Sequence, residues 1–230
     1  MRRGRKIPPQ LFKTMKFYPL FMSLEGQKCL VVGAGSVAER KVRTLMACGA
    51  VVTVIGENPT RGIRDLEAKG LTLRPRKFRR SDMGRYALVI GATDDREANK
   101  GVSRECRRRN LPVNIADDPE LSTFILPAIY TRGDLTIAVS TAGKSPAAAR
   151  AIKEDLGKNY GHDYAELIDI LGSHRGKMME AVDGHRKRAA LWRQILGADI
   201  LGLLRRKGRK TAAGAIAQRI EQAAGKGTEK

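Results

Sequence analysis

Apolar and polar residues in the first half of the chain fall into blocks that predict alternating strands and helices. Continuous apolar runs at 29–32, 51–55 and 86–92 are typical of strands buried on both faces of a parallel sheet. After the first run, Val42 and Leu45 mark the apolar face of a helix. The same reasoning predicts a helix at 60–69, a strand at 71–73, a helix at 97–109 and a strand at 111–116. The pattern predicts an α/β fold built on a Rossmann-like parallel sheet.

The pattern changes after residue 117. Two short apolar runs around the turn Arg132-Gly133-Asp134 predict a β-hairpin, and helical spacing dominates from residue 147 onward. We therefore predict a basic extension at 1–14, a dinucleotide-binding domain at 15–117, a β segment at 118–146, a helical domain at 147–204 and a basic, mobile tail at 205–230.

Charge is concentrated at the two ends of the chain. The formal net charge is +20; residues 1–16 carry six basic groups and no acid, and residues 201–230 carry eight basic groups and two acids. Both ends have few large apolar residues, so we expect residues 15–204 to retain the function. The basic ends could bind nucleic acid non-specifically, but charge balance explains them equally well. Because Met15 opens the first core segment, residues 1–14 could also reflect an upstream start codon.

Several features of the sequence favour a cytoplasmic location. No apolar run reaches bilayer length, the N-terminus lacks the apolar stretch of a signal peptide, and the three cysteines are scattered. We predict a cytoplasmic protein with buried free thiols, no membrane partner and no specific nucleic-acid partner. The three histidines lie too far apart in sequence for a local metal motif, so we predict no resident metal.

A glycine turn between the first strand and the first helix carries the main chemical signal. Gly33 allows a tight bend, Gly35 lets a pyrophosphate approach the backbone, and Ala38 lets the helix pack on its strand. The free N–H groups of Ser36 and Val37 would face the phosphates. The pattern predicts dinucleotide binding, although a tight turn without a ligand would have the same spacing.

Two further positions bear on the cofactor. Glu57 follows the second strand, where an acid accepts the ribose hydroxyls of NAD, whereas Arg61 nearby would suit the extra phosphate of NADP. We favour NAD. Thr93 ends a later strand at the edge where open α/β sheets bind their ligands.

A loop rich in hydroxyl groups precedes the helix that starts near residue 147. Ser140, Thr141, Lys144 and Ser145 would form a seat for a carboxylate or phosphate, with Ser145 as the N-cap. An ordinary helix cap explains the same residues equally well.

Several motifs in one order resemble the family of precorrin-2 dehydrogenase and sirohydrochlorin ferrochelatase, which is the N-terminal module of siroheme synthase. The matching segments are YPLFMSLEGQKCLVVGAGSVAERKVRTLMACGA, GATDDREAN and PVNIADDPELSTFILPAIYTRGDLTIAVSTAGKSPAAARAIKE, with a looser match to Leu204. The resemblance implies NAD-dependent oxidation of precorrin-2 to sirohydrochlorin. In many relatives it also implies insertion of a ferrous ion, and a cobaltous ion is the alternative metal substrate. It further implies a homodimer in which the β segment and the C-terminal helices build the interface and the tetrapyrrole cleft.

The resemblance also assigns residues. The family's essential aspartate falls on Asp117, which would act as a general base, whereas Asp118 before Pro119 is predicted to start a turn. Asn58 joins Ser36, Val37 and Glu57 among the family's cofactor contacts. Thr141 stands where some relatives carry a phosphorylated serine.

The substrate of this family carries eight carboxylates, so a cleft for it needs cations. Arg132, Lys144 and Arg150 are the candidates, although basic clusters are more often plain surface. Two other classes remain open: a non-catalytic NAD-sensing regulatory protein, and a nucleic-acid-binding protein. The 5% aromatic content and the lack of a reading motif argue against the second class.

Overall fold

The first of two compact units, which ends at Leu126, contains a five-stranded parallel sheet. The computed structural model describes residues 16–225. The strand order is β3-β2-β1-β4-β5. Its elements are β1 (Lys28–Val32), α1 (Ser36–Ala47), β2 (Val51–Ile55), α2 (Arg61–Glu67), β3 (Thr72–Arg74), β4 (Leu88–Gly91), α3 (Arg96–Arg108) and β5 (Val113–Ile115).

Alternate residues of each central strand enter two separate cores. Cys29 and Val31 of β1 pack with the apolar face of α1 and α2, whereas Leu30 and Val32 pack with α3 on the other face. Helices therefore cover both faces, as the continuous apolar runs predict. The strand order reverses direction between β1 and β4, and ligands bind at such a switch point, outside the carboxyl ends of the strands.

The second unit begins at Pro127 and contains a two-stranded antiparallel hairpin and five helices in the described part of the chain. Its elements are β6 (Ala128–Arg132), β7 (Leu135–Val139), α4 (Pro146–Asn159), α5 (His162–Ser173), α6 (Arg175–Ala181), α7 (His185–Gly197) and α8 (Ile200–Gly225). The hairpin packs on α4, and α5 to α8 share one apolar core. The predicted fold class, a Rossmann-like sheet followed by a hairpin and C-terminal helices, is confirmed.

The predicted mobile tail at 205–230 is wrong as far as residue 225. Helix α8 continues past a break at Gly208, and Ala212, Ile216 and Ile220 are buried in the core of the second unit. These residues recur every four positions, so they form one helical stripe. Arg205 and Arg209 pair with Asp163 and Asp169 of α5, which explains part of the positive charge that suggested a free tail.

The predicted boundary at 117–118 also differs from the structure. Residues 118–126 belong to the first unit, where Phe124 packs against the sheet core and its carbonyl oxygen accepts a hydrogen bond from Asn114 Nδ2 at 3.0 Å. The hairpin consequently begins at Ala128. The predicted extension at 1–14 lies outside the described residues.

The three cysteines differ in their burial. Cys29 and Cys106 are buried, and burial raises the pKa of the Cys106 thiol to about 12. Cys48 is exposed at the end of α1, so the expectation of three buried thiols is wrong for this residue.

No helix within residues 16–225 is both long and apolar enough to cross a bilayer.

Candidate dinucleotide and substrate site

The turn after β1 is closed by tight backbone packing. Gly33 has φ +116° and donates its N–H to Ile55 O at 2.8 Å. A Cβ at Gly33 would collide with the carbonyl of Ala92, and one at Gly56 would collide with the backbone of Ala34. The ends of β1, β2 and β4 are therefore pressed together, and only glycine fits at these contacts.

Gly35 faces open space instead. A Cβ there would meet no atom within 4 Å, and Gly35 caps α1 without any side-chain hydrogen bond. The first N–H groups of α1, at Ser36, Val37 and Ala38, thus lack a side-chain cap and can bind an anion. This open cradle at a helix N-terminus fits the pyrophosphate of a dinucleotide.

A cleft of about 400 Å³ surrounds this turn. Seven of the eight predicted cofactor residues line it, namely Gly33, Gly35, Ser36, Val37, Glu57, Asn58 and Thr93. Ala38 is fully buried beneath it and packs in the sheet core, which is the role that its small side chain predicts. The structure therefore gathers residues from the ends of β1, β2 and β4 around one cavity.

Other residues that line the cleft were not predicted from the sequence. These are chiefly Lys77, Phe78, Asp94, Asp95 and Ala98. Lys77 and Phe78 belong to the charged run 74–80, whose composition alone favours a solvated loop. Only the fold returns this loop to the end of β2, so no sequence spacing could have identified it.

Ion pairs to one buried carboxylate hold that loop. Asp82 accepts hydrogen bonds from Arg76 Nη1 and from the Arg79 backbone N–H, both at 2.8 Å, and its side chain is 4% exposed. The hydrogen bond from Arg76 is the largest cause that lowers the pKa of Asp82 from 3.8 to about 2. The loop that carries Lys77 and Phe78 is therefore anchored at Arg76 and Arg79, on both sides of these two residues.

The loop after β4 is fixed by α3. Asp95 Oδ1 accepts hydrogen bonds from the N–H groups of Glu97 and Ala98 at 3.0 Å, and Asn99 Nδ2 donates to Thr93 O at 2.8 Å. Asn99 is 8% exposed, and its Oδ1 has no hydrogen-bond partner within the described chain. Asn99 thus sets the position of the Thr93 backbone at the edge of the cleft.

The adjacent aspartates after β5 have different environments. Asp118 Oδ1 accepts from the N–H groups of Glu120 and Leu121 at 3.2 Å, so Asp118 starts the turn as predicted. Asp117 has φ +59° at the tip of a tight turn that the Asp118 N–H closes onto Ile115 O at 3.2 Å. Its side chain is exposed, and within residues 16–225 it forms no hydrogen bond or ion pair. Asp117 thus presents a free carboxylate at the ligand edge of the sheet.

The predicted substrate loop in the second unit forms a hydrogen-bonded helix cap. Ser145 Oγ accepts from the Ala148 N–H at 3.1 Å, and Thr141 Oγ1 accepts from the Ser145 N–H and donates to Ser145 O. Ser140 Oγ accepts from the Ala142 N–H at 3.1 Å. These hydroxyls already have structural partners, whereas the Lys144 side chain is exposed.

The three predicted cations do not share one end of the hairpin. Arg132 pairs with Leu135 at the turn, whereas the loop with Lys144 follows Val139 at the other end. The length of β7 separates these ends by about 14 Å. Arg150 is exposed on α4. Arg132 is therefore not grouped with Lys144, although the two are close in sequence.

A second, larger groove of about 570 Å³ lies away from this chemistry. It is lined by Met83, Tyr86 and Leu111, which precede β4 and β5 at the amino ends of the strands. It lacks the glycine turn and free carboxylate of the site. We therefore assign the site to the smaller cleft. Within the described residues, no group of three potential ligands could hold a metal ion.

Fold and cleft together define a Rossmann-type protein that binds a nicotinamide dinucleotide. Residues 20–128 match a family model described as NAD(P)-binding, and residues 132–159 match one described as the central part of sirohaem biosynthesis proteins.

Similar proteins indicate which kind of Rossmann-type protein this chain resembles. The siroheme synthase of Ruthia magnifica is 34% identical over 81% of this chain and 40% of its own length, and that of Methylococcus capsulatus is 37% identical over 79% and 39%. A solved structure of SirC, precorrin-2 dehydrogenase, superposes with a TM-score of 0.72 at 29% identity, covering 90% of this chain and 100% of SirC. The predicted resemblance to the siroheme synthase N-terminal module is confirmed. The chain spans about two fifths of the curated relatives that it matches.

Proposed function

We propose that this protein oxidises precorrin-2 to sirohydrochlorin with NAD, within siroheme biosynthesis. The observation that carries the proposal is the free carboxylate of Asp117 at the same sheet edge as the glycine-lined cleft. The likeness to SirC over the whole length of that protein supports the same reaction. A non-catalytic NAD sensor, the alternative from the sequence, would not need a carboxylate exposed at this edge.

The reaction removes one hydride and one proton from the tetrapyrrole. When bound, the nicotinamide ring supplies the hydride acceptor. The N–H groups at the start of α1 hold the pyrophosphate, and the Thr93 loop, fixed by Asn99, borders the cleft at the end of β4. Asp117 accepts the proton as a general base.

NAD is proposed as the cofactor because Glu57 lines the cleft one residue beyond Gly56 at the end of β2. A carboxylate there accepts hydrogen bonds from ribose hydroxyls and repels a 2′-phosphate. Arg61, the residue that suggested NADP, is exposed at the start of α2 and does not line the cleft. Lys77 does line it, so Glu57→Gln is expected to improve the use of NADP relative to NAD.

The decisive experiment is anaerobic turnover of precorrin-2 with NAD or with NADP, in which the absorbance spectrum of the tetrapyrrole reports its oxidation. We expect NAD-dependent formation of sirohydrochlorin. Binding of NAD without turnover would favour the sensor class instead. Subsequent addition of ferrous or cobaltous ion tests the chelatase activity that the family resemblance implies.

We further propose a homodimer formed through the β6–β7 hairpin. Ile129 on its outer face is 43% exposed and pairs with Ala138 across the hairpin. A second copy would cover this apolar side chain. Sedimentation of the intact protein is expected to give the mass of two chains.

A further inference from the structure

Helix α1 packs on one face of the sheet, and its two flanks point toward opposite edges of that sheet. Its buried stripe consists of Ala38, Val42 and Leu45. Glu39 lies on one flank, where its Oε2 accepts a hydrogen bond from Thr60 Oγ1 at 2.6 Å, so this flank faces α2. At about 100° per residue, Lys41 lies on the opposite flank.

The strand order fixes what the second flank faces. Helix α2 follows β2 on one side of β1, whereas β4 and β5 lie on the other side. Val37 lines the cofactor cleft from this flank, and Lys41 follows it one helical turn later. Lys41 therefore points toward the side of the sheet where Asp117 follows β5.

The Lys41 residue is partly buried, and its ammonium lacks a close partner in the described chain. Within residues 16–225 it forms no hydrogen bond or ion pair. Burial and then the charge of Arg40 lower the pKa of Lys41, and the charge of Asp117 opposes both. Asp117 is thus the anionic side chain that raises the pKa of Lys41, although the two groups are too far apart to form an ion pair.

We propose that Lys41 binds a peripheral carboxylate of the tetrapyrrole and so seats the ring against Asp117. An ammonium offers three donors, and a charge-assisted hydrogen bond from a partly desolvated lysine recovers free energy that burial costs. The assignment rests on the proposed function. It places a cationic contact in the first unit, on the same structural unit as the base.

The test compares Lys41→Met with Lys41→Arg in the intact protein. Lys41→Met is expected to raise the KM for precorrin-2 by about 10- to 100-fold, with kcat within threefold of wild type. Lys41→Arg should stay within about fivefold in KM because it keeps the charge. Lys69→Met is the matched control, since Lys69 is exposed in the turn after α2, at the opposite edge of the sheet. The Kd for NAD should be unchanged in all three variants.

Other outcomes would overturn the assignment. An unchanged KM in Lys41→Met would exclude the contact, a weaker Kd for NAD would assign Lys41 to the cofactor, and a loss of kcat alone would make it a positioning residue for Asp117. If Lys41→Met does not fold, Lys41→Gln provides the same comparison.

Direct titration with sirohydrochlorin separates this inference from the proposed function. Absence of turnover in wild type would refute the dehydrogenase proposal. Binding of sirohydrochlorin to wild type that weakens at least tenfold in Lys41→Met would still support the carboxylate contact, and equal binding would refute it.

Discussion

Asp117 and Asp118 are chemically identical neighbours that the backbone uses in different ways. Asp118 accepts two backbone hydrogen bonds, whereas Asp117 occupies a left-handed conformation with a free carboxylate. Aspartate tolerates this conformation better than most residues, so the turn can expose it at little cost. The glycines show a similar contrast, because a Cβ collides at Gly33 but meets open space at Gly35.

Asp117→Asn is expected to fold and bind NAD but to lose dehydrogenase activity by about 10²- to 10⁴-fold. The amide is nearly isosteric but cannot accept a proton at neutral pH. Anaerobic kinetics with precorrin-2 measure the loss. Asp118→Asn is the control and should cost much less, because an amide oxygen still accepts the turn hydrogen bonds. A larger loss at Asp118 would transfer the role of base to that residue.

The two glycines of the turn should respond differently to substitution. Gly35→Asp should abolish NAD binding and leave the fold intact, since the new side chain enters open space but excludes the pyrophosphate. Gly33→Ala should lower the free energy of unfolding by about 2 kcal/mol or more, because of its positive φ and the collision with Ala92. Calorimetric NAD titration and urea unfolding separate the two effects. Tight NAD binding by folded Gly35→Asp would contradict the assigned cleft.

Among the secondary-structure elements, the charged loop 74–82 shows most clearly how the fold builds the cleft. Arg74 and Arg76 pair with Asp82, which the fold buries, and these contacts hold Lys77 and Phe78 at the cavity wall. The helix after the glycine turn contributes its uncapped N-terminus, and α3 contributes Asn99. The loop and α1 thus line the cleft directly, whereas Asn99 fixes the position of Thr93, which lines it.

Asp82→Ala is expected to destabilise the protein by about 2 kcal/mol at neutral pH, since it removes charge-assisted hydrogen bonds to Arg76. The pKa of Asp82 is lowered from 3.8 to about 2, so its contribution is complete above pH 3.8 and is lost as the pH falls through about 2. Urea unfolding of both proteins at pH 7 and at several values below 4 tests this. A stability difference that does not shrink in acid would exclude Asp82 as the titrating group.

The chain as a whole consists of two units with separate cores, and its C-terminal basic segment completes the second core. Ala212, Ile216 and Ile220 are buried there, and Arg205 and Arg209 pair with α5. We therefore expect a chain limited to residues 15–204 to have a less stable second unit than a chain that includes α8.

A chain that ends at Leu204 should lose about 4 kcal/mol or more of stability in the second unit, because two buried isoleucines and the ion pairs to α5 disappear. NAD binding by the first unit should persist, since every residue that lines the cleft precedes Pro127. Urea unfolding monitored at Trp192, which packs in the second core, reports the change. A chain that ends at Gly225 serves as the control. Unaltered unfolding of the shorter chain would show that α8 contributes little.

The sequence by itself determined the features that local rules control. Continuous apolar runs predicted the buried parallel strands, and the glycine turn with Glu57 and Thr93 predicted three walls of the cleft, because strand ends in a parallel sheet meet at one edge. It also distinguished Asp118 as a turn residue, since Pro119 follows it.

Tertiary structure decided the rest, because the rest depends on contacts between distant residues. Lys77 lines the cleft because Asp82 and the end of β2 hold its loop there. Lys41 lies on the flank of α1 toward β4 and β5 because the strand order places α2 on the other side of β1. Arg132 and Lys144 are near in sequence, yet the hairpin separates them by the length of a strand. The basic composition at 205–225 concealed a helix that is stabilised by apolar partners in α5 to α7 and by ion pairs to α5.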